Sequence, residues 1–225
     1  MTAAEAILRR RSSPRFDPDL PVTGEELVRL LGLARHSPSQ HNLQPWRFLV
    51  VRDRANRDRL RRWAFGHPAL ADAPVALLLL GYLYPHRSHW DAILKQMRMQ
   101  AYIDSEAVFR RDAEVRRDLA AEPDLGCWAC KNAMLAAATL MIAAEGLGLA
   151  SCPIDRFDPG PIRDDFGIPA DHALCALIAL GHPALPDEVP SLGRLPLAEL
   201  CFEEHFGRPW TLGEPDLAED QRPED

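Results

Sequence analysis

Apolar and polar residues along the chain follow two periods, and the switches between them outline the elements. Residues 3–11 read as a short basic helix that stops near Pro14, since the residue before a proline avoids helical backbone. Thr23, with Glu25 and Glu26 behind it, is a helix N-cap. Leu27, Leu30, Leu31 and Ala34 then repeat at helical spacing until Pro38. Residues 46–51 crowd aromatic and β-branched side chains and predict a strand. A mixed-charge helix is predicted over 54–65. Pro74 opens an all-apolar strand over 75–80, which such a run buries on both faces. Residues 86–121 read as two surface helices. Residues 125–147 form a long helix that is apolar nearly all round, which suits the centre of a core. A short extended piece (150–154), a helix capped by Asp158 with proline at its start (159–166) and a buried strand (173–181) follow. Residues 185–210 are proline-rich and lack periodicity, which predicts an extended arm.

Helices and strands mix without a strict βαβ rhythm, so the fold class expected is α+β. No glycine-rich nucleotide fingerprint follows a strand, which argues against a Rossmann site. The 225 residues suit one domain, expected over 1–210. The net charge of −7 argues against a general nucleic-acid binder. Residues 214–225 alone carry −5 of it, and a disordered acidic tail is expected over 211–225. The longest apolar run, 133–144, is too short to span a bilayer, so no membrane partner is expected. Five cysteines and an N-terminus without a secretory pattern point to a reducing, cytoplasmic setting.

Polar groups are densest at Ser37-Pro38-Ser39-Gln40-His41-Asn42-Leu43-Gln44-Pro45-Trp46, directly before the first strand. Amide and hydroxyl groups between two prolines, at the mouth of a sheet, make a rigid loop of the kind that builds ligand sites. Within it, Gln44 is expected to tie down backbone and Trp46 to fill core.

Four separated segments agree with one family. They are Arg10-Arg11-Ser12-Ser13-Pro14-Arg15-Phe16; the loop 37–46 with its strand; Glu145 to Ile154 continued by Ile162 to Pro169; and Ala176 to Pro183 with Arg194-Leu195-Pro196-Leu197. In this order and spacing the chain resembles the nitroreductase family of flavin enzymes, over roughly residues 5–200. The resemblance implies a mixed sheet surrounded by helices, with an extended C-terminal arm. It also implies a homodimer with FMN at the subunit interface, and two-stage chemistry. NADH or NADPH reduces the flavin, and a nitroaromatic, quinone or similar small-molecule acceptor is then reduced. Relatives that use the same flavin for dehalogenation, enone reduction or flavin cleavage, or that bind it without turnover, are the alternatives.

The resemblance carries over to particular residues. Arg10, Arg11 and Ser12 correspond to phosphate and flavin contacts, which guanidinium forks and hydroxyls suit; the bland reading is a basic helix end. Pro38, Ser39, Gln40 and Asn42 correspond to residues that reach the flavin of the other subunit; the bland reading is a self-bonded loop. Pro153, Ile154 and Asp155 correspond to backbone beside the reactive edge of the flavin, and Arg194 to a C-terminal phosphate arginine. The chain departs from the pattern at Pro14 and Leu192, where relatives carry basic groups, and at Arg156, where glycine is common. No side-chain nucleophile is expected, because the flavin carries the chemistry. Cys127-Trp128-Ala129-Cys130 has no strand before it, so it reads as the start of a core helix rather than a thioredoxin-like dithiol. His86 and His89 lack metal-ligand partners at suitable spacing, and no metal is expected.

Overall fold

Trp46–Val51 (β1), Val75–Tyr82 (β2), Ala150–Ile154 (β3) and His172–Gly181 (β4) form one sheet in the order β1-β2-β4-β3, with every neighbouring pair antiparallel. The computed structural model describes residues 1–184, 190 and 192–213. The acidic tail from 214 onward, and residues 185–189 and 191 of the expected arm, lie outside the described residues. Among the described residues, the parallel component of the expected mixed sheet is one bridge, Ser12↔Ser151, on the outer side of β3.

The helices, in chain order, are Ala3–Arg9 (α1), Gly24–Ala34 (α2), Arg54–Trp63 (α3), Ala69–Asp72 (α4), Pro85–Ser88 (α5), Trp90–Met99 (α6), Ser105–Ala120 (α7), Leu125–Gly146 (α8), Pro159–Phe166 (α9) and Leu197–Leu200 (α10). Local chemistry sets their starts. At α2 the Thr23 hydroxyl accepts from the Glu26 N–H (3.1 Å) while the Glu26 carboxylate accepts from the Thr23 N–H (2.8 Å). These two bonds satisfy donors that a bare helix end leaves open. Asp53, Asp104, Asp124 and Asp158 cap α3, α7, α8 and α9 with a side-chain oxygen that accepts a first-turn N–H, without the reciprocal bond.

Helices cover both faces of the sheet. Leu27, Leu30 and Ala34 of α2 pack with Ala133, Ala136, Ala137 and Leu140 of α8 against Leu77, Leu79, Ile178 and Leu180. On the opposite face, Leu60, Leu70 and Ile162 pack against Ala76, Leu78, Leu177 and Ala179. Strand β2 is therefore buried on both sides, which explains its unbroken apolar run. Burying each leucine contributes about 1.5–3 kcal/mol. A third cluster joins Trp90, Ile93 and Leu94 of α6 and Val115 and Leu119 of α7 to Trp128 and Ala129 of α8.

Helix α8 and strand β4 each carry an irregularity. By length and hydropathy alone α8 resembles a membrane span, yet one side of it lies on the sheet. Its other side leaves Met134 (39% exposed) and Leu135 (45%) uncovered, so one chain does not enclose it all round. In β4, the register with β2 slips between Leu79↔Ala176 and Leu80↔Leu174, which leaves Cys175 as the extra residue of a β-bulge.

Candidate functional site

Loop 37–45 is fixed from two sides. On the first, α8 supplies Asn132, buried, whose Oδ1 accepts from the Gln40 N–H (2.9 Å) and whose Nδ2 donates to the Trp128 carbonyl (2.9 Å). Trp128 donates its indole N–H to the Gln40 Oε1 at 2.5 Å. On the second side, the Arg47 guanidinium donates to the Gln44 (3.2 Å) and Trp46 (2.8 Å) carbonyls. His89 Nε2 lies 2.8 Å from the Leu43 carbonyl, so it carries the proton. That leaves Nδ1 to accept from Arg47 Nη2 (3.3 Å) and Ser88 Oγ (2.9 Å). Burial depresses the Arg47 pKa.

The loop backbone needs that bracing. His41 (φ 53°), Asn42 (φ 59°) and Gln44 (φ 47°) all occupy the left-handed region, which is unfavourable for residues other than glycine. The Ser39 hydroxyl accepts from the Gln44 N–H (3.0 Å) and Gln44 Nε2 donates to the Asn42 carbonyl (3.1 Å), so Gln44 does tie down backbone; Trp46 is core, 6% exposed. Gln40 is spent on anchoring. Pro38 and Asn42 are exposed, and the Ser39 and Asn42 side chains line a cavity of about 440 Å³ with His41, Met97 and Tyr102.

The second cluster lies at the far edge of the sheet. Ser12 bridges Ser151 of β3, and the Ser13 N–H donates to the Ser151 carbonyl at 3.1 Å. Arg11 turns back to the end of α1 and donates from Nη1 to the carbonyls of Leu8 (2.5 Å), Arg9 (3.1 Å) and Arg10 (3.1 Å). This is the helix-end role of a basic residue, favoured by the carbonyl dipoles. Arg10 is placed differently. Its Nη1, like the Arg11 Nε and the Ser151 Oγ, is buried without a hydrogen-bond partner among the described residues. Burial pushes the Cys152 thiol pKa up, and the nearby Arg10 charge opposes that rise. Buried donor atoms left unpaired are costly unless something accepts from them. A phosphate supplies such acceptors, and this donor set fits one.

Strand β3 leads from Ser151 to the other predicted residues. Pro153 is half-buried, Ile154 is buried and pairs with Leu177, and Asp155 is exposed just past the ladder. Arg156 lies over the Phe65 ring at 5.1 Å. Arg194 stands on the exposed arm and donates to the Gly193 carbonyl (2.6 Å); among the described residues no hydrogen bond joins it to Arg10, Ser12 or β3.

The structure thus brings Arg10, Ser12 and residues 153–155 to one edge of the sheet, and Pro38, Ser39, Gln40 and Asn42 to the other. Three strand spacings, about 14 Å, separate β1 from β3. The loop also lies beyond Trp46, whereas Ser151 pairs near the opposite strand end, at Leu180. The two clusters are therefore diagonal to each other within a chain.

Sequence reasoning gave no site role to Asn132, Ser151, Arg47 or His89, although Arg47 and Ser151 lie inside two of the four segments. His86 and His89 do not lie on one helix. The helix breaks at His89, which ends α5 and precedes α6, so the two are not a face pair. His41, Glu114 and Asp118 converge as well, with His41 Nε2 3.0 Å from Asp118. Arg111 and Arg117 already pair with the two carboxylates (2.9 and 3.1 Å), so their charge is balanced.

The family model described as the Nitroreductase family matches residues 7–182. A Thermus thermophilus protein named NADH dehydrogenase is 37% identical over 207 residues, covering 90% of this chain and 96% of its own length. A Bacillus subtilis protein, named putative NAD(P)H nitroreductase YodC, is 28% identical, covering 89% and 98%. Among solved structures, a putative nitroreductase from Exiguobacterium sibiricum in complex with FMN superposes with a TM-score of 0.82 at 22% identity, over 91% of this chain and 98% of that one.

Proposed function

The chain belongs to the nitroreductase family, and from that premise we propose that it is an FMN-dependent NAD(P)H oxidoreductase that works as a homodimer. When bound, FMN supplies two-electron transfer from NADH or NADPH to a nitroaromatic, quinone or similar acceptor, the two taking the same place in turn. The observation that carries the reading is the diagonal separation of two half-sites. On this reading neither is complete in one chain, and a two-fold dimer would bring the loop of one copy to the β3 edge of the other.

The residues divide the work. Arg10, with the Ser12 and Ser151 hydroxyls, would hold the phosphate, and the unpartnered donors of Arg10 and Ser151 support this. Arg11 supports the same segment by closing α1, and Arg194 would reach the phosphate only if the arm folds over a second copy. Pro153, Ile154 and Asp155 would present backbone along the reactive edge. Ser39 and Asn42 of the second copy would take the hydroxyl-bearing chain, with Pro38 beside them and Gln40 holding the loop's shape. Uncovered apolar groups support the dimer: Met134 and Leu135 on α8, and Leu195 (64% exposed), Phe206 (93%) and Leu212 (79%) on the arm. Five free cysteines support a reducing, cytoplasmic setting.

The test is direct. Purified protein should be yellow, bleach with NADH or NADPH without oxygen, and recover colour on adding a nitroaromatic or a quinone. A colourless protein that titration with FMN does not reconstitute overturns the reading. Enone reduction would use the same arrangement, and an enone reductase shares the fold (TM-score 0.78 at 20% identity). A panel of enones and nitroaromatics, read by the rate of flavin reoxidation, separates the two.

A further inference from the structure

Cys130 and Cys175 are 45 residues apart in sequence, yet their sulfurs lie 2.6 Å apart. Cys130 is on α8 and Cys175 on β4, and both are half-buried. The β-bulge explains the approach. Alternation along a strand would send Cys175 to the face opposite Ala176. With the extra residue, Cys175 and Ala176 both pack on the α8 side, while Leu174 and Leu177 pack on the other. The irregularity therefore aims one thiol at another across the helix–sheet interface. Close packing holds the helix there: a Cβ built on Gly81 of β2 would sit 2.8 Å from the Ala129 carbonyl carbon, leaving no slack between α8 and the sheet.

We propose that Cys130 and Cys175 are a redox-active dithiol, which a hydroperoxide closes to a disulfide between α8 and β4. Cys130 reacts first. Its close contact with Cys175 lowers its pKa, while the same contact pushes Cys175 up. The Cys130 thiolate attacks one peroxide oxygen, the O–O bond breaks, and Cys130 becomes a sulfenic acid as the other oxygen leaves as water or an alcohol. The Cys175 sulfur then attacks the Cys130 sulfur. The S–O bond breaks, the S–S bond forms, and the hydroxide leaves as water with the Cys175 proton. Two electrons pass from the two thiols to the peroxide, and a dithiol reductant reverses the step. Cys127, exposed and one turn earlier on α8, is not the partner of Cys130 in this arrangement. The crosslink falls between Trp128 and Asn132, the two residues that hold Gln40, so it fixes the segment of α8 that anchors the loop.

The test is a peptide map of the full-length protein, reduced, freed of reductant, treated with hydrogen peroxide and alkylated in denaturant. Trypsin cuts after Arg117, Lys131, Arg163 and Arg194, so Cys127 and Cys130 share one peptide and Cys175 is alone in another. The expected result is loss of two thiols of the five, with these two peptides joined at two hydrogens below their summed mass. Cys127→Ser should leave the link intact. In the double variant Cys127→Ser, Cys175→Ala, dimedone should trap Cys130 as its sulfenic acid. Survival of both thiols, a link within the 118–131 peptide, or a link lost in Cys127→Ser overturns the proposal.

Discussion

Trp128 donates to the side-chain oxygen of Gln40 at 2.5 Å, and this bond spans 88 positions of sequence to pin a strained loop on the core helix. Trp128→Phe removes the donor and also part of a buried ring, so a small cavity adds to the lost bond. Gln40 is exposed, so water takes its freed oxygen and the bond itself accounts for about 0.5–1.5 kcal/mol. Thermal unfolding should fall by roughly 2–4 °C per kcal/mol, and FMN affinity should fall with it. Unchanged affinity in a destabilised variant would separate the loop from the cofactor.

Arg10 and Arg11 are neighbours with different duties. Arg10→Ala should weaken FMN binding by about 10–100-fold, the scale of a lost charged hydrogen bond. Arg11→Ala should mainly loosen α1, since its guanidinium already serves three backbone carbonyls. Ser151→Ala should stabilise the cofactor-free chain slightly, because it removes a buried hydroxyl that has no partner there, yet lower FMN affinity several-fold. Fluorescence titration with FMN beside thermal melts of the cofactor-free protein measures all three.

Gly81 tolerates no side chain. Its added Cβ would meet backbone and Cβ of Ala129 at 2.8–2.9 Å, so α8 would have to move. Gly81→Ala should cost about 1–3 kcal/mol, read by denaturant unfolding.

Asp112 accepts from Arg116 (2.9 Å) and from the Trp90 indole (2.9 Å), and these bonds hold its carboxyl below the ordinary 3.8. A depressed pKa adds stability above the ordinary value and loses it as pH falls through the folded one. Asp112→Asn should therefore be less stable than the wild type at neutral pH, by under about 1 kcal/mol for so solvent-screened a group. The difference should close below about pH 4, followed by urea unfolding across pH.

Leu135→Glu puts a charge on the uncovered side of α8. It should shift sedimentation from dimer to monomer while circular dichroism stays native; an unchanged dimer would move the interface elsewhere.

Much of the fold was legible because its signals are local. Trp46–Val51 and Pro159–Phe166 have the bounds expected of them, since β-branched crowding and an Asp cap followed by proline act within a few residues. The Thr23–Glu26 capping box is equally short-ranged. The site was only partly legible. Asn132 and Ser151 act on residues far away in sequence, and nothing in their own neighbourhood announces it. Arg11 satisfied a phosphate motif and a helix-end preference at once, and the carbonyls of α1 claimed its guanidinium. Cys175 could not be read at all: an alternating strand pattern assigns it a face, and the slip at Leu80 changes that face.

The diagonal position of the two clusters has a thermodynamic consequence. If each cofactor touches both copies, association and loading are linked equilibria, and each strengthens the other by the same free energy. Dilution would then release flavin before any part of the chain unfolds, and added FMN would hold the dimer together at concentrations where the bare chains separate.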